Sequence, residues 1–107
     1  MVVNQYEIWL VNLDPTIGSE IKKTRPCVII SPDSMNKHLR TVQIAPMTSN
    51  TTDYPWRVQI VFEKRHGRVA IDQIRTIDRR RLIRKLGKTT HNIQQEIKSI
   101  IHEMLVL

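Results

Sequence analysis

The chain has 107 residues and a formal net charge of +7, from 17 lysines and arginines against 10 acidic residues. This length suits one core, so we predict a single domain over residues 1–107. The lone cysteine, Cys27, excludes an intramolecular disulfide. No apolar run approaches the roughly 20 residues that cross a bilayer, and the N-terminus lacks a signal-peptide pattern, so we expect a cytoplasmic protein without membrane contact.

The positive charge is concentrated in one part of the chain. Residues 63–88 contain ten lysines and arginines but only three acidic residues. Such a concentration of positive charge produces an electrostatic field that attracts polyanions by long-range steering, and binding is favoured by release of condensed counterions. Nucleic acid is one partner for such a surface, while an acidic protein partner and simple solubility are the alternatives.

Short apolar runs rich in β-branched residues predict strands through most of residues 5–86. The predicted strands are Tyr6–Leu13, Pro26–Ser31, Thr41–Pro46, Trp56–Phe62, Arg68–Ile71 and Leu82–Leu86. Turn-forming residues separate them, among them His66-Gly67, and Pro32–His38 is predicted to form one helical turn. Many short strands with frequent turns indicate a small β-barrel or sandwich.

The apolar periodicity changes after Thr90. Six residues follow the spacing that lines one helix face: Ile93, Ile97, Ile100, Ile101, Met104 and Leu105. We predict an amphipathic helix over about residues 91–105, capped by Thr90 or Asn92, with its apolar face on the sheet. The predicted fold class is therefore mainly β with a C-terminal helix.

The four histidines are candidates for acid–base chemistry, because imidazole titrates near neutral pH. Their contexts instead predict surface positions: a turn for His66, a polar loop for His38, and the terminal helix for His91 and His102. Of the four, only His38 stays a candidate for a site. No pair has metal-ligand spacing and one cysteine forms no thiolate cluster, so we expect neither a metal nor another cofactor.

The loop before the second predicted strand ends in an arginine. Pro26 favours extended backbone at Arg25, which places the guanidinium on a rigid element beside Lys22 and Lys23. A guanidinium offers a fixed fork of donors that suits a phosphate gaining charge during displacement. At the end of the third predicted strand, the Thr48 hydroxyl is a second donor. Without further information the residues favour a plainer interpretation, a surface cation and a turn residue.

Several stretches of the chain resemble the MazF/PemK (Kid) toxin family in order and spacing. They are Ile8–Glu20, Lys23–Ser31 with its Thr-Arg-Pro motif, Ala45–Ser49, and Val69–Asp78 followed by Leu82 and Leu86-Gly87-Lys88. The similarity extends from about residue 5 to the end of the chain. It implies an SH3-like barrel of the MazF/PemK/CcdB type, a homodimer, and a messenger-RNA endoribonuclease (mRNA interferase) neutralised by a cognate antitoxin.

The resemblance also implies site residues. The family's catalytic pair, the arginine of the Thr-Arg-Pro motif and the Thr or Ser after the third strand, matches Arg25 and Thr48. The family's mobile loop, which covers substrate and is displaced by antitoxin, matches residues 14–23. Asp72 and Gln73 match the family's Asp-Gln motif, where RNA contacts are expected. The cations Lys22, Lys23 and Arg75 are predicted to contact the RNA backbone, and Thr24 and Ser49 complete the predicted substrate-binding set. One branch carries an arginine two residues before the aspartate of the Asp-Gln motif, and Ala70 here argues against that branch's catalytic triad.

The predicted activity is sequence-specific cleavage of single-stranded RNA. Without a metal, the substrate's 2′-hydroxyl must attack the adjacent phosphorus, giving 2′,3′-cyclic phosphate and 5′-hydroxyl ends, and this alignment needs unpaired RNA. The alternatives are a gyrase-poisoning toxin on the same fold and a non-catalytic nucleic-acid-binding barrel. Gyrase poisons of this fold rely on a tryptophan near the C-terminus, whereas this chain ends Met104-Leu105-Val106-Leu107.

Three features are open to more than one interpretation. Tyr54 and Trp56 fit stacking on RNA bases, and core packing fits them at least as well. The run Arg79-Arg80-Arg81 fits contacts with RNA or with an acidic antitoxin segment. The group that deprotonates the 2′-hydroxyl is also open, because arginine normally stays protonated.

Overall fold

Seven strands form one antiparallel sheet in the computed structural model, which describes residues 1–106. The strands are β1 (Glu7–Asn12), β2 (Thr24–Ile29), β3 (Thr41–Thr48), β4 (Arg57–Phe62), β5 (Arg65–Ala70), β6 (Arg75–Asp78) and β7 (Leu82–Lys88). Their order is β4-β5-β3-β2-β1-β7, and β6 pairs with β3. The prediction of a mainly β chain with a C-terminal helix is therefore confirmed.

Strand β3 is the centre of the sheet because it pairs along both edges. Residues 44–46 pair with β2 on one edge. On the other edge, residues 41–44 pair with β6, and Met47 and Thr48 pair with β5. Strands β2 and β5 therefore flank the point where β3 ends.

Two apolar clusters lie on the two faces of the central strands, because successive side chains of a strand point to opposite faces. Cys27, Ile29 and Ile44 belong to one cluster, whereas Val28 and Ala45 belong to the other. All five are fully buried. This packing on both faces holds the central strands rigidly. The residues at the start of β2 and at the end of β3 therefore project from defined faces of the sheet.

Helix α1 (Asp33–His38) forms where one helical turn is predicted. Pro32 is its N-cap, with extended backbone at φ −70° and ψ 158°, rather than its first helical residue. The turn follows the end of β2 and contacts β3.

Helix α2 (His91–Ile101) begins at the predicted cap, because the Thr90 hydroxyl accepts a hydrogen bond from the Ile93 N–H at 3.4 Å. It continues as a π-helical turn over His102–Val106. Ile97 is fully buried against the sheet, whereas Leu105 is 70% exposed, so the predicted stripe packs only in its first part. No helix within residues 1–106 is long and apolar enough to cross a membrane.

Two sequence-based predictions are wrong at the level of elements. Strand β6 was not predicted, because Ile77 is its only fully buried residue and gives no alternation. The predicted turn at His66-Gly67 lies within β5 instead. The chain turns at Glu63-Lys64, where positive φ values of 50° and 63° correspond to a two-residue type I′ hairpin.

Candidate active site

Arg25 is the second residue of β2, as Pro26 predicts. Its guanidinium is held from two sides: Nε donates to the Lys22 carbonyl at 2.8 Å, and Nη1 donates to the Met47 carbonyl at 3.2 Å. These two bonds use two of the five N–H groups of the guanidinium. The group is thus fixed between the loop and β3, with further donors left for an anion.

The register of β2 and β3 brings Thr48 to Arg25. Cys27 pairs with Pro46, and continuing this antiparallel register by two residues sets Arg25 opposite Thr48. Opposed residues project from the same face of a sheet. The Thr48 hydroxyl oxygen accepts a hydrogen bond from the Asn50 N–H at 3.2 Å, which leaves the hydroxyl proton for another acceptor.

Both side chains line one cavity of about 530 Å³. Its walls come from the start of β2, the end of β3 and the β4–β5 hairpin: Thr24, Arg25, Pro26, Met47, Thr48, Ser49, Phe62, Glu63, Arg65, His66 and Gly67. Four predicted site residues, Arg25, Thr48, Thr24 and Ser49, therefore lie together. The volume is within the range usual for ligand sites.

The hairpin contributes three charged or titratable residues that the sequence analysis did not place in the site: Glu63, Arg65 and His66. The prediction for His66 assumed a turn at Gly67. The actual turn is formed by Glu63 and Lys64, two residue types that seldom adopt positive φ. No local signal in the sequence marks this turn, so the inward face of β5 was not identified.

The predicted contacts Asp72, Gln73 and Arg75 line a second cavity of about 390 Å³, next to the first along β3. Their polar groups already have protein partners. Asp72 accepts both hydrogen bonds of a bidentate pair with Arg57, at 3.0 and 3.1 Å. The Gln73 side-chain oxygen accepts from the Ile21 N–H at 3.0 Å, and this bond attaches the loop before β2 to the barrel.

Lys22 and Lys23 are exposed on that loop. The Lys23 N–H donates to the Asp14 carboxylate at 3.1 Å, and the Lys23 carbonyl accepts from the Leu13 N–H at 3.0 Å, so the loop closes on itself. Neither lysine lines the Arg25 cavity. The backbone of Lys22 nevertheless contacts the Arg25 guanidinium directly.

Cys27 lies beside the cavity but does not supply a thiolate. Burial raises the pKa of its thiol to about 12, against the opposing effect of the nearby Arg25 and Arg75 charges. The thiol donates to the Arg25 carbonyl at 3.6 Å. Cys27 is therefore protonated at neutral pH and packs as an apolar residue.

Tyr54 and Trp56 are surface residues, each about two-fifths exposed. Their rings stack with centroids 5.3 Å apart, and the Arg57 guanidinium lies 5.1 Å from the centre of the Tyr54 ring. The core-packing interpretation is therefore wrong. Stacking on RNA bases stays a prediction.

The arginine run is divided by its contacts. Arg79 donates to the carbonyls of Asn36 and Met1, and Arg81 donates to those of Asn12 and Asp14. Arg80 points outward and pairs with Asp78 at 3.0 Å. The run therefore does not present three equivalent cations to a partner.

The other histidines lie outside the Arg25 cavity. His38 ends α1 and lines a separate cavity beside the N-terminal residues, and His91 and His102 are exposed on the terminal helix. Within residues 1–106 there is no group of three His, Cys, Asp or Glu side chains arranged to hold a metal ion.

The fold and the Arg25 cavity together define a small basic β-barrel with an arginine–hydroxyl site, a class suited to binding a phosphodiester. A model of the PemK-like, MazF-like toxins of type II toxin–antitoxin systems matches residues 4–105. Endoribonuclease PemK of Escherichia coli is 36% identical over 97 residues, which cover 85% of this chain and 73% of that protein. The chain therefore belongs to the PemK-like, MazF-like toxin family.

Solved structures agree with this assignment. MazF of Deinococcus radiodurans has a TM-score of 0.89 and 25% identity, and the match covers 100% of this chain and 99% of the other. A MazE–MazF structure from the same organism has a TM-score of 0.81 and 22% identity, covering 100% and 98%. The predicted family, the SH3-like barrel type and the class of endoribonuclease toxin are confirmed.

Proposed function

We propose that this chain cuts single-stranded messenger RNA at specific sites, without a metal, through attack of the substrate's own 2′-hydroxyl on the adjacent phosphorus. The products are a 2′,3′-cyclic phosphate and a free 5′-hydroxyl. The observation that supports this best is the shared cavity of Arg25 and Thr48. Membership of a family that includes an endoribonuclease of Escherichia coli agrees with it.

Arg25 and Thr48 act on the phosphate in this proposal. The Arg25 guanidinium binds the non-bridging oxygens and stabilises the extra negative charge of the pentacoordinate phosphorus, and the Thr48 hydroxyl donates to the same group. Fixed donors aimed at developing charge are worth about 3–4 kcal/mol each. Because both residues stand on paired strands, they need little reorganisation during the reaction.

The remaining predicted residues bind the rest of the RNA. Thr24 and Ser49 line the same cavity and contact the nucleotides at the cut. Lys22 and Lys23 contact backbone phosphates from the loop. Asp72, Gln73 and Arg75 lie along the second cavity, where they contact flanking nucleotides.

We further propose a cytoplasmic homodimer that a cognate antitoxin neutralises. The family consists of toxins of type II toxin–antitoxin systems, and the Deinococcus radiodurans relative is solved as a MazE–MazF structure. The loop of residues 14–23 is the segment we expect an antitoxin to displace. Its contact with the barrel through Gln73 is one hydrogen bond to Ile21, which a partner can replace.

The direct test is incubation of the purified protein with a long RNA in EDTA. We expect discrete fragments with 5′-hydroxyl ends, and no cut where the nucleotide that supplies the 2′-hydroxyl is deoxy. Arg25→Ala should lower the cleavage rate about 10²- to 10³-fold while RNA binding weakens far less. Thr48→Ala should lower it to a similar or smaller degree.

Arg40→Ala is the matched control, because it removes an exposed arginine outside both cavities near Arg25. Its rate should equal that of the wild type. Intact RNA after incubation with the wild type would refute the nuclease mechanism and favour the non-catalytic alternatives. Normal activity of Arg25→Ala would show that Arg25 has no catalytic role in the reaction.

A further inference from the structure

The reaction needs a proton donor for the departing 5′ oxygen, and neither Arg25 nor Thr48 is suited to that task. An arginine stays protonated, and a threonine hydroxyl is too weak an acid to give up its proton readily at neutral pH. Among the residues that line the Arg25 cavity, His66 alone carries an imidazole, the side chain that most often serves in general acid–base catalysis. We propose that His66 is the general acid of this cavity, an inference that rests on the proposed nuclease function.

The register of β3 and β5 turns His66 towards Thr48. Thr48 pairs with Arg68, so these two side chains project from one face of the sheet. His66 stands two residues before Arg68 on β5, and side chains two apart in a strand share a face. The imidazole therefore projects on the same side as the Thr48 hydroxyl.

The end of β3 leaves open space beside His66. Strand β3 stops at Thr48, whereas β5 continues from Arg68 to Arg65, so β3 does not pair with Gly67 and His66. The side chain of His66 is exposed to this opening rather than packed. A substrate phosphate at Thr48 would therefore meet the imidazole without displacing any core residue.

Gly67 holds the two strands at close approach. A Cβ atom at Gly67 would lie only 2.8 Å from the Thr48 carbonyl oxygen, a distance that real Cβ atoms do not adopt. The missing side chain thus lets β5 run directly against the end of β3. This contact fixes the position of the neighbouring His66 relative to Thr48.

Arg25 and His66 stand on opposite sides of Thr48, because β2 and β5 pair with opposite edges of β3. In-line displacement at phosphorus requires the attacking and departing oxygens to lie on opposite sides. A phosphate bound at Thr48 can therefore direct its departing 5′ oxygen to one flank. The geometry assigns that flank to His66.

Cleavage exchanges one bond at phosphorus for another. The 2′ oxygen forms a bond to phosphorus, the bond from phosphorus to the 5′ oxygen breaks, and the electron pair of that bond stays on the 5′ oxygen. The imidazolium of His66 transfers one proton to this oxygen, and the 2′-hydroxyl proton passes to a water molecule. The neutral imidazole then regains a proton from solvent.

Three charged groups from the surrounding elements face the same cavity: Arg25 of β2, Glu63 of the hairpin turn and Arg65 of β5. A general acid acts in its protonated form, so the proposed role of His66 predicts a fall in the rate of cleavage on the alkaline side of the pH profile. In a variant without the imidazole this fall should disappear. A residue that only supports the fold would leave the shape of the pH profile unchanged.

The test compares two RNA substrates under single-turnover conditions, after sequencing of fragment ends has located a cut. One substrate has the natural linkage there, and the other has a bridging 5′ sulfur, a leaving group that departs without protonation. His66→Gln should cut the natural linkage about 10²-fold more slowly than the wild type or slower still. The same variant should cut the sulfur linkage at close to the wild-type rate.

His91→Gln is the matched control, since it changes an exposed histidine of the terminal helix, and it should leave both rates unchanged. Equal slowing of both substrates by His66→Gln would overturn the proposal in favour of a binding or structural role. Undiminished cleavage of the natural linkage would also overturn it. Failure of the wild-type protein to cut either RNA would instead refute the proposed function itself.

Discussion

Glu7 shows how one buried charge is stabilised in this barrel. Its side chain is only 4% exposed. One carboxylate oxygen accepts from the Asn4 N–H at 2.8 Å and from the Trp9 indole N–H at 3.0 Å, and the other contacts the Lys85 ammonium at 2.8 Å. These contacts connect the N-terminal residues to β1 and β7, so the carboxylate supports the edge of the sheet.

The charge of Glu7 predicts a loss of stability in acid. Burial raises the pKa of this carboxyl, but the hydrogen bonds from Lys85, Asn4 and Trp9 outweigh it, so the pKa lies below its usual value. The stabilisation is therefore complete above the pKa of an unfolded glutamate, about 4.3, and is lost as pH falls through the lower folded value. We expect the free energy of urea unfolding to decrease over this acidic range.

Glu7→Gln isolates this contribution. The uncharged amide cannot form the ion pair with Lys85, so we expect the variant to be less stable than the wild type by about 2 kcal/mol at neutral pH. The difference should shrink on acidification, because the wild type then loses the same interaction. Glu96→Gln, on the exposed face of α2, serves as the control and should match the wild type at every pH. A constant difference across the pH range would contradict the assignment.

The position of a single residue could be predicted where a neighbour restricts its backbone. Arg25 could be placed on a strand because Pro26 restricts its backbone, and the family resemblance supplied Thr48 as its partner. His66 could not be placed, because its position depends on a turn of Glu63 and Lys64 that no turn-forming residue marks. The error therefore arose in the backbone, at the turn two residues before His66 in the same hairpin.

At the level of elements, the contact between β3 and β5 is the feature that forms one wall of the site. The strands share two residue pairs, Met47 with Val69 and Thr48 with Arg68. Beyond them, the close approach at Gly67 continues the contact. A change at this glycine should therefore affect both the sheet and the cavity.

Gly67→Ala tests this contact. Its Cβ would clash with the Thr48 carbonyl oxygen, so either the strands separate or the end of β3 shifts, at a cost of about 1–3 kcal/mol. Gly87→Ala is the matched control, because its Cβ would meet only the Phe62 ring, at 3.5 Å. We expect urea unfolding to show a clear loss of stability for Gly67→Ala and little change for Gly87→Ala. Equal stability of the two variants would show that β5 is free to move away from β3.

Strands with an alternating or continuous apolar pattern were predicted, and β6 was not. Its four residues bury one side chain fully, at Ile77, because the strand is short and pairs with β3. The exposure of Met104 and Leu105 has a similar origin. A helical period identifies a face, but the length of sheet available to cover that face is a property of the whole fold.

At the scale of the whole molecule, the net charge overstates the number of cations available to RNA. Several cations of residues 63–88 are engaged within the protein: Arg68 pairs with Asp53 at 2.9 Å, Lys85 pairs with Glu7, and Arg79 and Arg81 donate to carbonyls. Composition indicated a polyanion as one partner for the basic segment. It could not distinguish internal from external contacts, because that division is made by the fold.

The exposed loop lysines should therefore carry part of the salt dependence of RNA binding. Each contact with a phosphate of single-stranded RNA contributes about 0.7 to the slope of log affinity against log salt. The double variant Lys22→Gln and Lys23→Gln should reduce that slope by about 1.4, measured by filter binding with a 2′-deoxy strand that is not cut. Lys98→Gln, on α2, removes a lysine whose ammonium lies 5.9 Å from the centre of the Tyr6 ring, and it should leave the slope unchanged. An unaltered slope in the double variant would mean that the RNA backbone follows another surface, since the loss of two phosphate contacts must release fewer counterions.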